Sequence, residues 1–374
     1  MEEKRISIYI HIPFCVRKCR YCDFPSFTDS GNIDSYFNAL RAEIRAERET
    51  AGRITDTIYI GGGTPSLVPP FYIKEVMEEI GKKYIIGPET EISMEMNPGT
   101  VERNALKTYR EAGINRLSMG CQSFNDESLK CLGRIHSAED AERTYDELRK
   151  AGFENINIDL ISDIPGEKAE DMERSLKKAA ELSPEHISVY SLIIEPGTEF
   201  YKLREKGGLK DLPDEDEQEK TDKLIRQILR ENNYMRYEIS NYAKPGHECK
   251  HNMRYWTRGE YRGFGLSAAS LIGNRRFTNI REMVYINNPG GILSEDRILS
   301  REEEMQEFLF LGLRMTAGIS AADFSERFRK DIDEVFGKQL KKQIKCGFLE
   351  FDGDRYRYNT KGLDISNILM SEFL

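Results

Sequence analysis

The chain has 374 residues, 39% hydrophobic and 32% charged, with a net charge of -9 and seven cysteines. That length suits a large domain with a smaller one. The acidic balance argues against nucleic acid as the main partner, because phosphate binding draws on an excess of Lys and Arg.

No stretch approaches the ~20 apolar residues of a membrane helix. At the N-terminus Glu2 and Glu3 precede a short apolar run, with no basic region or cleavage site of a signal peptide. The cytoplasm is the expected location. An odd cysteine count in such a chain argues against a disulfide scaffold, so clustered cysteines read as metal ligands or catalytic groups.

In chain order, strands are expected at residues 6–12, 57–60, 91–96, 116–120, 155–161 and 186–192. All are short and mostly apolar, as in a sheet covered on both faces. Between them lie amphipathic helices, among them residues 34–50 and 138–150, the second with Ser137 and Asp140 placed as a capping box. Ala51-Gly52, Ala112-Gly113 and Ala151-Gly152 each read as a helix end before a strand. Six such units imply an α/β fold, a parallel sheet curled into a partial (β/α)6 barrel. Reactive residues then belong at the C-terminal strand ends, where Cys15, residues 61–64, Glu95, Gln122 and Asp159 fall.

Past Gly197 the pattern breaks. Residues 211–220 read as an acidic, solvated linker, followed by a helix at 221–231 and an aromatic, glycine-rich stretch at 234–277. From about Ser300 a smaller module is expected: helices through Leu309 and Leu313, near 324–328 and at 335–344. A β pair at 348–351 and 355–359 follows, turning at Asp352-Gly353. This resembles a winged helix. The expected division is 1–235 for the barrel, 236–299 for a segment packed on it, and 300–374 for the helical module with its β wing.

Cys15, Cys19 and Cys22 have the spacing CxxxCxxC directly after the first strand. An iron–sulfur cubane normally takes four thiolates. Three close cysteines with no adjacent fourth leave one iron open, able to chelate the amino and carboxylate groups of S-adenosylmethionine (SAM) for reductive cleavage of the sulfonium bond. A zinc site, the alternative, wants a fourth Cys or His. Gly61-Gly62-Gly63-Thr64-Pro65 follows the second strand, where glycines let the backbone approach a ligand. Glu95 ends the third strand, where a carboxylate can bind an amine or ribose. Gln122, Arg134 and Asp159 lie on later loops.

These stretches resemble the HemN/HemW branch of the radical SAM superfamily, and most of all its HemW heme-chaperone group. The similarity runs from about Ser7 to the C-terminus. It includes IHIPFCVRKCRYCDF, IGGGTPSL, MEMNPGT, YEISNYA and, at residues 251–256, the HNxxYW signature. The resemblance implies a [4Fe-4S] cluster on the three cysteines. It also implies one SAM served by Tyr9, Gly62 and Glu95, and a second by Tyr21, Gly63, Thr64, Gln122, Arg134 and Asp159. Phe24 stands where the related porphyrinogen decarboxylases carry a further cysteine. Where many HemW-like chains read Gly-Ala-His-Ser, this one reads Ser267-Ala268-Ala269-Ser270. The glycine usual in the loop after Asp159 is Asp163.

Of the five histidines, His11 is expected to support the cysteine loop, and His136 and His186 have ordinary structural readings. His247, Cys249 and His251 gather on one stretch. Any of them is a candidate axial ligand of heme, with Tyr255 and Trp256 covering the porphyrin; a zinc site and a plain hydrogen-bonded loop are the alternatives. The resemblance favours His251 and implies heme as cargo for an acceptor hemoprotein. An electron donor such as flavodoxin or ferredoxin and a homodimer are further expectations. A radical enzyme decarboxylating a tetrapyrrole such as coproporphyrinogen III is the rival reading.

Overall fold

The computed structural model describes residues 5–101 and 103–374; Glu2 and Glu3 lie outside the described residues. Six parallel strands follow in chain order: β1 (Arg5–Ile12), β2 (Ile54–Gly62), β3 (Ile85–Met96), β4 (Arg116–Gln122), β5 (Asn155–Ser162) and β6 (His186–Ser191). Between them run α1 (Ile33–Ala46), α2 (Pro70–Lys83), α3 (Arg103–Glu111), α4 (Asp126–Leu132), α5 (Ala138–Lys150) and α6 (Ala169–Leu182). Strands β2 and β3 start ahead of their apolar runs, because Ile54 and Thr55 pair with Ile85 and Ile86 before a register shift.

The strands are not uniformly apolar. In β1, Ile6, Ile8, Ile10 and Ile12 are wholly buried in the main core with Tyr36, Phe37 and Leu40 of α1. Ser7, Tyr9 and His11 alternate with them and face the inside of the curled sheet, where Ser7 meets Thr57 and Tyr9 meets Tyr59. The period of two therefore divides a packing face from a polar functional face.

The sheet does not close. After α7 (Glu199–Glu205) and α8 (Glu215–Glu231), the chain forms β7 (Met235–Arg236) and β8 (Asn241–Ala243) on the β6 edge. It then runs through α9 (Lys250–Trp256) to β9 (Tyr261–Phe264), which lies parallel to β1. Strands β10 (Ala269–Ile272), β11 (Arg275–Asn279) and β12 (Leu293–Ile298) extend that edge, giving twelve strands in the order β12-β11-β10-β9-β1-β2-β3-β4-β5-β6-β8-β7.

Two local expectations need correction. Residues 215–220 are not linker but the first turns of α8: Asp214 caps the helix reciprocally with Glu217, and acidic side chains suit a helix N-terminus. Helix α1 stops at Ala46, ahead of Ala51-Gly52. The buried Glu47 carboxylate there accepts from the Thr50 backbone N–H at 3.0 Å and pairs with Arg262 at 2.7 Å.

The last residues build α10 (Arg301–Gly312), β13 (Ile319–Ser320), α11 (Ala321–Phe328), α12 (Ile332–Lys345), β14 (Leu349–Phe351), β15 (Arg355–Tyr358), α13 (Thr360–Asp364) and α14 (Ser366–Ser371). They enclose a separate core around Leu309, Phe324, Leu340 and Phe373. Strand β13 joins the wing because Ile319 pairs with Tyr356. Among the described residues no helix is long and apolar enough to cross a membrane.

Candidate functional site

The cysteine loop leaves β1 and is pinned by its own backbone: Cys15 N–H donates to Phe27 O at 3.0 Å and Phe27 N–H to Pro13 O at 2.7 Å. Cys15, Cys19 and Cys22 are free and partly buried. The Thr64 hydroxyl donates to Cys15 Sγ at 3.7 Å, and Arg134 Nη1 to Cys19 Sγ at 3.5 Å. A Cβ on Gly63 would lie 2.9 Å from Cys15 Sγ and 2.6 Å from Phe14 O, so only glycine lets the two loops meet. Burial pushes the Cys22 thiol up to about 11 and raises that of Cys15. Bare thiolates are thus unfavourable here, and a metal centre is what would deprotonate them.

Among the described residues no three His, Cys, Asp or Glu side chains converge as they would on a single ion. A four-iron cubane spreads its thiolates wider than one zinc does. Three thiols on one loop, with a hydroxyl and a guanidinium donating to two of the sulfurs, suit such a cluster.

The other predicted residues meet around this loop. Glu95 Oε2 accepts from the Gly62 N–H and Oε1 from the Tyr59 hydroxyl, each at 3.0 Å. Burial, with Asp159 adding to it, pushes the Glu95 carboxyl up to about 7. Asp159 accepts from Ser118 Oγ at 2.9 Å and Asn157 Nδ2 at 2.7 Å. Gln122 sits at the end of β4 with φ of 70°, a costly conformation for a residue with a Cβ, where the register with β5 slips. Tyr21 packs against the small cluster of Leu132, Ile161, Ile164 and Phe200. Tyr9 donates its hydroxyl to His11 Nδ1 at 2.9 Å, while His11 Nε2 donates to Pro25 O at 2.9 Å, the loop-supporting contact expected of His11.

The HNxxYW helix α9 lies against the inner face of β2. The His251 ring is 1% exposed and stacks on Tyr59 at 5.0 Å. Its Nδ1 meets Thr57 Oγ1 at 2.7 Å and its Nε2 meets the Tyr255 hydroxyl at 2.9 Å. Burial lowers this imidazole to about 3, so it stays neutral. Trp256 lies elsewhere, under the Arg314 guanidinium at 4.4 Å. His247 sits in the turn before α9, its N–H donating to Lys244 O, and Cys249 is buried against Glu91 and Tyr237. His136 donates to Cys121 O, and His186 lies between Asn157 and Tyr237.

Between the cysteine loop and α9 opens a cavity of about 300 Å³ whose walls include Tyr9, His11, Phe24, Tyr255, Tyr261 and Ala269. Phe24 is 64% exposed at its edge. Three residues of this region, one of them inside the MEMNPGT stretch, are given no role by the motifs. Asn97 accepts from Arg134 at 2.5 Å and donates to Thr64 at 2.9 Å, while Tyr59 and Thr57 hold Glu95 and His251. The alternation of polar residues along each strand is the signal that marks Thr57 and Tyr59.

The sequence matches the radical SAM superfamily over residues 9–179 and the HemN C-terminal domain over residues 299–365. It is 37% identical to the heme chaperone HemW of Bacillus subtilis, covering 98% of this chain and 99% of that one. The chain belongs to the HemW family of radical SAM proteins. The HemW of Escherichia coli is 34% identical over 99% of this chain and 98% of its own. A solved relative of this family is the coproporphyrinogen III oxidase HemN of Escherichia coli, a radical SAM enzyme. Its TM-score is 0.86 at 25% identity, over 99% of this chain and 90% of that one. Membership implies a [4Fe-4S] cluster and SAM as the cofactors.

Proposed function

We propose that this chain is a heme chaperone, holding heme in the cavity between the cysteine loop and α9 and passing it to an acceptor hemoprotein. The observation that carries this reading is the full-length likeness to proteins named heme chaperones, together with an aromatic cavity beside the cysteine loop. A flat apolar macrocycle suits walls of Tyr9, Tyr255, Tyr261 and the exposed Phe24.

In this reading Cys15, Cys19 and Cys22 hold the [4Fe-4S] cluster, which with SAM supplies one-electron chemistry. Thr64 and Arg134 donate to the sulfurs and fix the loop. Tyr9, Gly62 and Glu95 serve the cluster-bound SAM. Glu95, raised to about 7 by burial, is shared between acid and carboxylate near pH 7; a cationic amine draws it to the carboxylate, which can also accept from a ribose hydroxyl. Tyr21, Gly63, Gln122 and Asp159 with Thr64 and Arg134 border a second SAM. An electron donor such as flavodoxin or ferredoxin and a homodimer complete this reading.

The likeness to the HemN structure supports a second reading, oxidative decarboxylation of coproporphyrinogen III. Anaerobic titration of cluster-reconstituted protein with hemin, beside incubation with coproporphyrinogen III, separates the two. Saturable binding with a shifted Soret band and no carbon dioxide release is expected. Carbon dioxide release would replace chaperoning with catalysis.

A further inference from the structure

The cavity offers iron few ligands. Among its described walls the groups able to bind a metal are His11 and the phenols of Tyr9, Tyr261 and Tyr255. His11 has no nitrogen to spare: Nε2 donates to the Pro25 carbonyl, which can only accept, so Nδ1 is the acceptor for Tyr9. Tyr9 lies on the cysteine-loop side and is already proposed to serve SAM. The Tyr261 hydroxyl lies beside the Arg276 guanidinium, which has no lone pair to take its proton. Tyr255 remains.

The hydrogen bonds behind Tyr255 have one consistent direction. The Thr57 hydroxyl donates to Ser7 Oγ at 2.8 Å, so it presents a lone pair to His251 and accepts from Nδ1–H. The lone pair of His251 then resides on Nε2 and accepts the Tyr255 hydroxyl at 2.9 Å. An imidazole fixed this way, buried and hydrogen-bonded at both nitrogens, has nothing left for iron. The phenol oxygen keeps lone pairs and touches a base. Edge-on rings of His251 at 4.9 Å and Tyr261 at 4.7 Å fix its plane.

Resting on the heme reading above, we propose that Tyr255 rather than His251 binds the iron of a ferric tetrapyrrole, as a phenolate, and that His251 is its positioning residue. The Fe–O bond forms, the phenol O–H bond breaks, and the proton passes to His251 Nε2; no electron is exchanged. In the metal-free site burial, Arg116 and Arg254 keep His251 neutral; the protonated imidazole belongs to the iron-bound state alone, where it donates back to the phenolate oxygen. Tyrosine ligation of ferric heme iron has precedent as a ligand type. A phenolate, being a hard anion, holds ferric better than ferrous iron.

The test is anaerobic titration of the full, cluster-reconstituted chain with ferric hemin and with metal-free protoporphyrin, read by resonance Raman and electron paramagnetic resonance. Phenolate ring modes coupled to high-spin ferric iron are expected in the unaltered protein, a result that needs no variant to fold. Tyr255→Phe should remove those modes and weaken hemin relative to metal-free protoporphyrin by about tenfold. His251→Ala should keep them at a shifted frequency. An imidazole or thiolate signature in the unaltered protein overturns the proposal. So does retention of the phenolate modes in Tyr255→Phe with their loss in Tyr9→Phe. Absence of saturable hemin binding by the unaltered protein instead overturns the heme reading beneath it.

Discussion

Arg134 reaches across the mouth of the curled sheet to place Nη1 3.5 Å from Cys19 Sγ, while its Nη2 donates to Asn97 Oδ1 at 2.5 Å and Gly120 O at 2.7 Å. One planar fork thereby ties the cysteine loop to the ends of β3 and β4. A lysine ammonium is a point charge and cannot span those acceptors. Arg134→Lys should weaken cluster retention by about tenfold, measured as iron remaining after reconstitution and desalting. Iron content equal to the unaltered protein would remove Arg134 from the cluster's support.

Glu95 carries a stability cost that its ligand would relieve. The folded carboxyl is raised to about 7 from an ordinary value of 4.5, so the folded state holds this proton more tightly. The associated stability is full below about 4.5 and is lost as pH rises through 7. Glu95→Gln should therefore stabilise the ligand-free protein at pH 8, by on the order of 2 kcal/mol, while weakening SAM binding. Urea melts at pH 5 and pH 8 with calorimetric SAM titrations measure both; equal stability at pH 8 would contradict the account.

His136 gives the opposite slope. Burial chiefly, and Arg134 next, lower its imidazole to about 4, so below pH 6.5 the unfolded chain binds a proton that the folded chain refuses. Its contribution is full above pH 6.5 and is lost as pH falls toward 4. Replacing His136 by Asn should flatten stability against pH in that window by up to about 1.4 kcal/mol per pH unit. Denaturant midpoints between pH 6.5 and 4.5 test this, and parallel curves would refute it.

A buried carboxylate joins the extra strands to the barrel. Glu43 of α1, 3% exposed, accepts from Arg262 at 3.2 Å, the Gly265 N–H at 2.9 Å, Asn279 at 2.9 Å and Tyr285 at 2.6 Å. Glu43→Ala removes the shared acceptor of these donors and leaves Arg262 with Glu47 as its one ionic partner among the described residues. A loss of about 3 kcal/mol is expected, read as a drop in Tm. A change under about 0.5 kcal/mol would mean that the network relaxes without it.

Motif and period carried most of the site. CxxxCxxC, the glycine loop and Glu95 are local in sequence, so their meeting at the strand ends follows once six β/α units are counted. The strands read as doubly apolar because isoleucines dominate β1, yet Ser7, Tyr9 and His11 between them make the working face. What local reading could not reach were contacts closed by the fold: Asn97 bridging Thr64 and Arg134, and β9 against β1. His251 is the sharpest instance. Its signature marks it as a candidate ligand, but local reading could not foresee the burial and the two hydrogen bonds that tie its ring to Thr57 and Tyr255.

The pairing of β1 with β9 sets Ser7 beside Tyr261 and Ile10 beside Phe264. On the ribosome, β1 and its cysteine loop acquire β2 as a neighbour first, and the other flank of β1 must await some 250 residues of further synthesis, about 10 to 50 s at ordinary elongation rates. Until then one side of the loop stands open to whatever delivers iron and sulfide. Tyr261 of that late strand also lines the cavity, so the cavity is completed only after both flanks of β1 have been made.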